Sequence, residues 1–223
     1  ERERTNLARY FSPNVVTELS KHDEPLKQVR TQDVAVLFVD IVGFTAFADA
    51  RTPEEVVRTL REFHGLMEQE VFRHNGTLDK YLGDGLMATF GTPFAGEADA
   101  GNALRCAQAM KAAVDRWNGE RKAVGEAPIR VGFGLHYGPV VLGDIGLTCL
   151  EFAVIGSTVN AASRLETLTR TLGCSLVASD DLIERAKAEL GSAHAVFRPL
   201  MAQAPQAIRG FEHPIAIWTQ ARL

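Results

Sequence analysis

The chain has 223 residues, of which 46% are hydrophobic and 23% are charged. This composition is typical of a folded soluble domain and excludes a disordered, collagen-like or coiled-coil chain. The formal net charge is −4 and the Lys and Arg residues are scattered, which argues against nucleic acid or an anionic membrane as the main partner.

Residues 1–28 differ from the rest of the chain. Apolar residues between Leu7 and Leu19 recur at spacings near three and four, which predicts a short amphipathic helix interrupted at Pro13 and followed by a loop. We interpret residues 1–28 as a connector and residues 29–223 as one folded domain.

From residue 34 the sequence predicts strands alternating with helices. Residues 34–39 are continuously apolar, which is typical of a strand covered on both faces. Thr52 as N-cap, Pro53 at the first helical position and Glu55 as the partner in a capping box predict the start of a helix. Asn75-Gly76 predicts its end.

The remaining elements follow in chain order. Strands are predicted at 77–82, 86–90, 129–136, 140–145, 151–155, 175–178, near Phe197 and at 215–219, and helices at 97–124, 156–172 and 180–190. The first two of these strands form a predicted hairpin, and residues 137–139 are predicted to turn between two others. Because hairpins occur among alternating helices and strands, we expect an α/β or α+β sandwich with one mixed sheet.

The three cysteines, Cys106, Cys149 and Cys174, have no metal-ligand spacing, and their odd number favours a reducing compartment. No apolar run approaches the roughly 20 residues of a membrane span, and there is no basic-then-apolar leader. We therefore expect a cytoplasmic location. Because the chain begins at Glu1 without Met, we also expect a longer protein with an upstream sensor or membrane domain, whose cytoplasmic catalytic part this would be.

Two carboxylates occupy unusual positions. Asp40 follows the apolar strand 34–39, and Asp84 lies between two glycines at the predicted hairpin turn. If the sheet brings them together, they repel unless a cation lies between them, and such pairs hold Mg²⁺ against nucleotide phosphates. Backbone N–H groups after Asp40 could cradle phosphate oxygens. Alternatively, Asp40 caps a turn and Asp84 is a common turn residue.

Four segments occur in order along the chain: FVDIVGFT at 38–45, KYLGDG at 80–85, RVG at 130–132 and IGSTVNAASRLE at 155–166. These segments resemble the successive motifs of class III nucleotide cyclases, the adenylyl/guanylyl cyclase catalytic domains. The resemblance extends from about Val29 to the C-terminus. It implies an α+β fold, ferredoxin-like or palm-like, with a mixed central sheet flanked by helices, and it makes residues 29–223 a catalytic domain.

The resemblance also implies a homodimer in which each site takes residues from both chains. One chain would supply Asp40, Ile41 and Asp84 for two Mg²⁺ or Mn²⁺ ions, and Gly43, Phe44, Thr45 and Arg130 for the phosphates. The other chain would supply Lys80 and Ala153 at the purine, Asn160 at the ribose, Arg164 at the charge that develops during the reaction, and Arg209 at the terminal phosphates.

The implied reaction is attack of the ribose 3′-oxygen on the α-phosphorus, which releases pyrophosphate and leaves a 3′,5′-cyclic nucleotide. Asn160 and Arg164 are four residues apart on a predicted helix, so they share a face near its N-terminus. Phosphoryl transfer mainly requires positioning and charge neutralisation, so no covalent nucleophile is needed.

The base preference depends on two positions. The Lys80 ammonium donates hydrogen bonds, which suits N1 of adenine and makes ATP the expected substrate. Ala153 stands where the family has a second polar residue at the purine, so discrimination against GTP is expected to be weak. Alternatively, Lys80 forms a local ion pair with Asp84.

Other hypotheses stay open at this point. The domain could be a guanylate cyclase or a catalytically silent dimerisation module that transmits a signal. The polar residues could also have local roles, with Arg164 paired to Glu166 or Glu151, Asn160 as a cap, and Arg130 and Arg209 as solvated charges.

Overall fold

The computed structural model describes residues 29–145 and 151–221, so the predicted connector at residues 1–28 lies outside the described residues. The helices are α1 (Phe44–Asp49), α2 (Pro53–Arg73), α3 (Asp99–Ala123), α4 (Ser157–Leu172) and α5 (Asp180–Leu190). The strands are β1 (Arg30–Ile41), β2 (Thr77–Leu82), β3 (Gly85–Phe90), β4 (Val131–Ile145), β5 (Glu151–Ile155), β6 (Cys174–Ser179), β7 (Leu200–Gln206) and β8 (Ile215–Ala221). None of the helices in the described ranges combines the length and apolar character that crossing a membrane requires.

The strands form one sheet in the order β2-β3-β1-β4-β6-β8-β7, with β5 paired to β4 beside this path. β4 and β6 run parallel, and the other neighbours are antiparallel. The sheet is therefore mixed, which confirms the α+β architecture expected from the sequence.

β1 lies at the centre because its side chains are apolar on both faces. Leu37 belongs to the core shared with α2, α3 and α5, whereas Val36 belongs to the core on the opposite face, where α4 packs. Successive residues of a strand point to opposite faces, so the apolar run at 34–39 serves both cores at once. Helices therefore cover β1 from both sides.

The predicted helix boundaries are confirmed where capping residues mark them. Thr52 accepts a hydrogen bond from the Glu55 amide while the Glu55 side chain accepts one from the Thr52 amide, which completes the capping box of α2. Gly173 ends α4 in the left-handed conformation, with φ of 65°. Ser179 caps α5.

Two strand predictions are wrong. β4 is one strand, and its residues Val131 to Leu142 pair with β1 without a turn at residues 137–139. Pro139 is tolerated because it lies between the segments that pair with β6 and with β5, where β4 has one neighbouring strand instead of two. The segment near Phe197 is a 3₁₀ turn, Ala195–Phe197, and the strand follows at Leu200–Gln206.

Glycines on β4 let α4 approach the sheet closely. A Cβ on Gly134 would lie 2.2 Å from the Glu166 amide nitrogen and 2.3 Å from the Ala162 carbonyl oxygen. A Cβ on Gly132 would lie 2.7 Å from Oε1 of Glu166. Because such contacts do not occur between real Cβ atoms and backbone, only glycine at Gly134 allows α4 to occupy this position.

Candidate active site

The structure brings Asp40 and Asp84 together at one end of the sheet. β3 runs antiparallel to β1, so the turn between β2 and β3 meets the end of β1. Gly85 makes the approach possible, since a Cβ there would lie 2.5 Å from the Val39 carbonyl oxygen and 2.9 Å from Oδ1 of Asp40. The side chains of Asp40 and Asp84 are close enough for Asp40 to affect the pKa of Asp84. The structure therefore places the two carboxyl groups side by side.

The environment of Asp84 disfavours its charged form. Burial, followed by the hydrogen bond and the charge of Asp40, raises the pKa of Asp84 to about 6, and Arg170 partly opposes this rise. Two carboxyl groups this close resist simultaneous ionisation unless a cation neutralises them. The pair can therefore hold either a proton or a cation.

Two residues that sequence reasoning did not place at the site lie beside this pair. Arg170 donates to Oδ2 of Asp40 at 2.7 Å and to both carboxylate oxygens of Glu166 at 2.9 and 3.0 Å. Burial raises the pKa of Glu166 to about 7, and Arg170 opposes that rise. The spacing of four residues signals the pairing of Glu166 with Arg170 on a helix, but no local signal links them to Asp40.

The segment after Asp40 lies at the same end of the sheet as Arg130. The Val42 amide donates to the Arg130 carbonyl oxygen at 2.8 Å, which joins this segment to the residue before β4. Gly43 adopts the left-handed conformation, with φ of 76°, and the chain then enters α1 at Phe44. Thr45 and Arg130 are exposed. Ile41, Gly43, Phe44, Thr45 and Arg130 therefore surround the end of β1 that carries Asp40.

A second group of predicted site residues, here called the second cluster, comprises Asn160 and Arg164, one turn apart on α4, and Arg209, in the turn next to Arg164. A Cβ on Gly210 would lie 2.8 Å from Nη1 of Arg164, and the Arg164 guanidinium lies 5.9 Å from the centre of the Phe211 ring. Ile208 and Phe211 pack on α4 in a small core, so the turn that carries Arg209 is anchored to the same helix. Asn160 and Arg209 are exposed.

The structure tests two of the local alternatives. Glu166 pairs with Arg170, whereas Arg164 faces the turn at Gly210 and Phe211. Lys80 forms an ion pair with its neighbour Asp79, with its Nζ atom 3.4 Å from Oδ2.

Lys80 and Ala153 lie on different strands. Lys80 is exposed on β2, next to an irregularity in the pairing of β2 with β3. Ala153 is buried on β5, opposite Gly143 of β4. The methyl group of Ala153 offers no hydrogen bond to a base.

A family model described as the adenylate and guanylate cyclase catalytic domain matches residues 26–180. The chain belongs to the class III adenylyl/guanylyl cyclase family. Adenylate cyclase 1 of Rhizobium meliloti (strain 1021) is 36% identical to this cyclase domain over 157 residues, which are 70% of this chain and 24% of the relative. The adenylate cyclase of Anabaena cylindrica is 37% identical over 161 residues, 69% of this chain and 30% of the relative.

Solved cyclase structures share the fold. The crystal structure of the guanylyl cyclase Cya2 has a TM-score of 0.72 and 29% identity, and the match covers 86% of this cyclase domain and 92% of Cya2. The adenylyl cyclase CyaB from P. aeruginosa has a TM-score of 0.75 and 25% identity, with 88% and 97% covered. The similar structures therefore include one protein named as a guanylyl cyclase and one named as an adenylyl cyclase.

Domains of this family generally depend on divalent metal ions, and the oxygen ligands at the end of β1 fit such ions. The Asp40 and Asp84 carboxyl groups repel each other, and carboxylate oxygens are the ligands preferred by Mg²⁺ and Mn²⁺. Among residues 29–145 and 151–221, no group of three or more His, Cys, Asp or Glu is arranged to hold a metal ion. Mg²⁺ is commonly bound by one or two carboxylates together with substrate phosphates, so a pair is enough.

Proposed function

We propose that this cyclase domain is an adenylate cyclase that converts ATP to 3′,5′-cyclic AMP and pyrophosphate at a site shared by two copies of the chain. The observation that carries the proposal is the contact between Asp40 and Asp84 at the end of β1. Two adjacent carboxylates beside an exposed arginine and a glycine-containing turn suit a metal-bound triphosphate.

The first cluster would bind the phosphates. Asp40, Asp84 and the Ile41 carbonyl group would hold two Mg²⁺ or Mn²⁺ ions, which when bound supply charge neutralisation for the phosphates. The segment from Gly43 to Thr45 would orient the phosphates through its backbone N–H groups. The hydrogen bond between the Val42 amide and the Arg130 carbonyl oxygen keeps Arg130 next to this segment, which supports a role for its side chain at the triphosphate.

The second cluster would complete the site of the other copy. Asn160 would orient the ribose so that its 3′-oxygen faces the α-phosphorus, and Arg164 would stabilise the negative charge that develops. Arg209 would contact the terminal phosphates. Arg164 and Arg170 are six residues apart, or about 9 Å along α4. Arg170 contacts Asp40 of its own chain, so Arg164 lies at a distance from that Asp40. This separation supports assigning the two clusters to different sites of a head-to-tail homodimer.

We assign ATP as the preferred substrate because Lys80 donates hydrogen bonds and N1 of adenine accepts them. Guanylate cyclase activity is the second candidate, and one specific observation favours it. Ala153 contributes no polar group at the purine, and a site without a polar partner discriminates weakly between bases.

The proposal is tested by supplying purified protein with Mn²⁺ and each of the four ribonucleoside triphosphates separately, and identifying the products by mass spectrometry. Cyclic AMP as the main product is expected, with some cyclic GMP. No cyclic product at protein concentrations that favour the dimer would instead support a catalytically silent module.

Substitution of Lys80 by Glu tests the base preference. We expect Lys80→Glu to lower kcat/KM for ATP by about 10- to 100-fold more than for GTP, because a carboxylate repels N1 of adenine and accepts from the N1–H of guanine. Competition between the two nucleotides in one reaction measures the ratio directly. An equal loss for both nucleotides would remove Lys80 from the purine site.

The pKa of Asp84 predicts how metal binding depends on pH. In metal-free protein, its folded pKa of about 6 exceeds the ordinary value of 3.8, so this carboxyl group destabilises the fold as pH rises through that window. Mn²⁺ removes the repulsion but competes with the proton. We therefore expect Mn²⁺ to raise the melting temperature clearly more at pH 7.5 than at pH 5, measured against EDTA-treated protein. An equal rise at both values would contradict the assignment.

We further propose that residues 29–223 are the cytoplasmic catalytic part of a longer protein with an upstream sensor or membrane domain. The chain spans about a quarter to a third of the length of the two adenylate cyclase relatives, which leaves room in proteins of that kind for such parts. In this arrangement residues 1–28 would connect the two.

A further inference from the structure

A bridge of side chains runs from helix α4 to the candidate metal ligand Asp40. Nη2 of Arg170 lies 2.7 Å from Oδ2 of Asp40, which is 130 residues earlier in the chain. Nη1 of the same guanidinium lies 2.9 and 3.0 Å from the two oxygens of Glu166, one helical turn before it. One planar group therefore holds two carboxylates, which suits arginine and not lysine.

The bridge is anchored on its helix side. The Glu166 side chain is only 8% exposed, and Gly134 and Gly132 of β4 leave room for its backbone and its Oε1 atom at the sheet surface. Glu166 therefore has little freedom to move. Arg170 gains a fixed orientation from it, although the Arg170 side chain itself is 35% exposed.

The bridge involves only one of the two carboxylate oxygens of Asp40. Oδ2 accepts from Arg170, whereas Oδ1 lies on the side of Gly85, the residue next to Asp84. The oxygen nearer the turn between β2 and β3 is thus available to a cation held together with Asp84. Above the Glu166 pKa of about 7, the charge of Arg170 is balanced by Glu166, so Asp40 and Asp84 keep their combined attraction for a cation.

We propose that Arg170, fixed by Glu166, is a positioning residue that orients Asp40 for divalent metal binding. The inference rests on the proposed metal-binding role of Asp40 and Asp84, and it adds a function for the end of α4 farthest from Asn160 and Arg164. Partly exposed ion pairs contribute little to stability, so the expected effect of this one is on metal affinity and not mainly on folding.

The decisive experiment uses a charge-balanced double variant, Glu166→Gln with Arg170→Gln. At a pH clearly above the Glu166 pKa of about 7, this variant removes the bridge and leaves the net charge near Asp40 unchanged, so a change in electrostatic attraction does not obscure the result. We expect the dissociation constant for Mn²⁺, measured without nucleotide by electron paramagnetic resonance of free Mn²⁺, to rise by about 10- to 100-fold. In cyclase assays, high Mn²⁺ should restore most of kcat, because the ligands themselves remain.

A matched control is available on α5. Arg185 and Glu189 also form a pair four residues apart, at 2.8 Å, with a partly exposed arginine and a buried glutamate. The double variant Arg185→Gln with Glu189→Gln is expected to leave the Mn²⁺ dissociation constant unchanged. Circular dichroism and melting temperatures show whether both double variants fold.

The outcomes separate the inference from the function on which it rests. If wild-type protein binds Mn²⁺ and the Glu166/Arg170 double variant binds it equally well or more tightly, the inference is overturned and the proposed function stands. If wild-type protein and Asp40→Ala both fail to bind Mn²⁺, both proposals are overturned. Should the double variant not fold, Arg170→Lys replaces it: about 10-fold weaker Mn²⁺ binding supports the inference, and unchanged binding overturns it.

Discussion

Substitution of Asp40 by Ala is expected to lower kcat/KM for cyclic AMP formation by at least about 10³-fold, the equivalent of several kcal/mol of lost charge stabilisation. The reason is that Asp40 contacts Asp84 and accepts from Arg170, so its removal eliminates one of two converging metal ligands. The measurement is a cyclase assay over a range of Mn²⁺ and ATP concentrations. Asp33→Ala is a suitable control because Asp33 is exposed on the same strand, opposite Pro139.

The same variant tests whether the sites are shared. In a mixed dimer of Asp40→Ala and Arg164→Ala chains, one site carries both substitutions and the other carries neither. Equal amounts of the two inactive proteins should therefore recover about a quarter of wild-type activity, because about half of the dimers are mixed and each has one intact site. Lack of recovery, with mixed dimers demonstrated by differently tagged chains, would contradict the head-to-tail assignment.

Substitution of Gly134 by Ala is expected to produce the second large effect. The new methyl carbon would lie 2.2 Å and 2.3 Å from backbone atoms of α4, so the helix must move away from the sheet. We expect a loss of about 1 to 3 kcal/mol in the free energy of unfolding. We also expect about a 10²-fold loss of kcat, because α4 carries Asn160 and Arg164.

Gly119→Ala provides the matched control, since Gly119 lies within α3 and a Cβ there meets nothing within 4 Å. Replacing a glycine inside a helix by alanine is expected to stabilise the protein by about 0.5 to 1 kcal/mol. Urea denaturation of both variants measures the difference. Wild-type stability and activity in Gly134→Ala would show that α4 does not depend on this close contact.

Site residues could be predicted from the sequence where the neighbouring residues show which local structure they belong to. Asp40 ends an apolar run and Asp84 lies between two glycines, so both were placed at strand ends. Their contact depends on the position of β3 beside β1 in the sheet, and no local pattern specifies that order. The resemblance to the cyclase family supplied the pairing, and in the structure the two side chains lie close together.

Tertiary contacts explain what sequence reasoning missed. Residues 137–139 contain glycine and proline, which favour a turn, but pairing with β1 keeps β4 extended through them. Glu166 and Arg170 show the spacing of a helical ion pair, yet the third member of the bridge lies 130 residues away. Local preferences therefore identified the elements better than the contacts between them.

Helix α4 has a consequence for how activity could be controlled. Its sixteen residues form one continuous helix. Arg170, near the end of this helix, contacts Asp40 of the same chain. In the proposed homodimer the opening turns of α4 reach the ligand bound mainly by the opposite subunit. A tilt of α4 in one subunit would change metal affinity at that subunit's own site and transition-state stabilisation at the site of its partner. A signal that reaches either subunit would therefore change the activity of both sites.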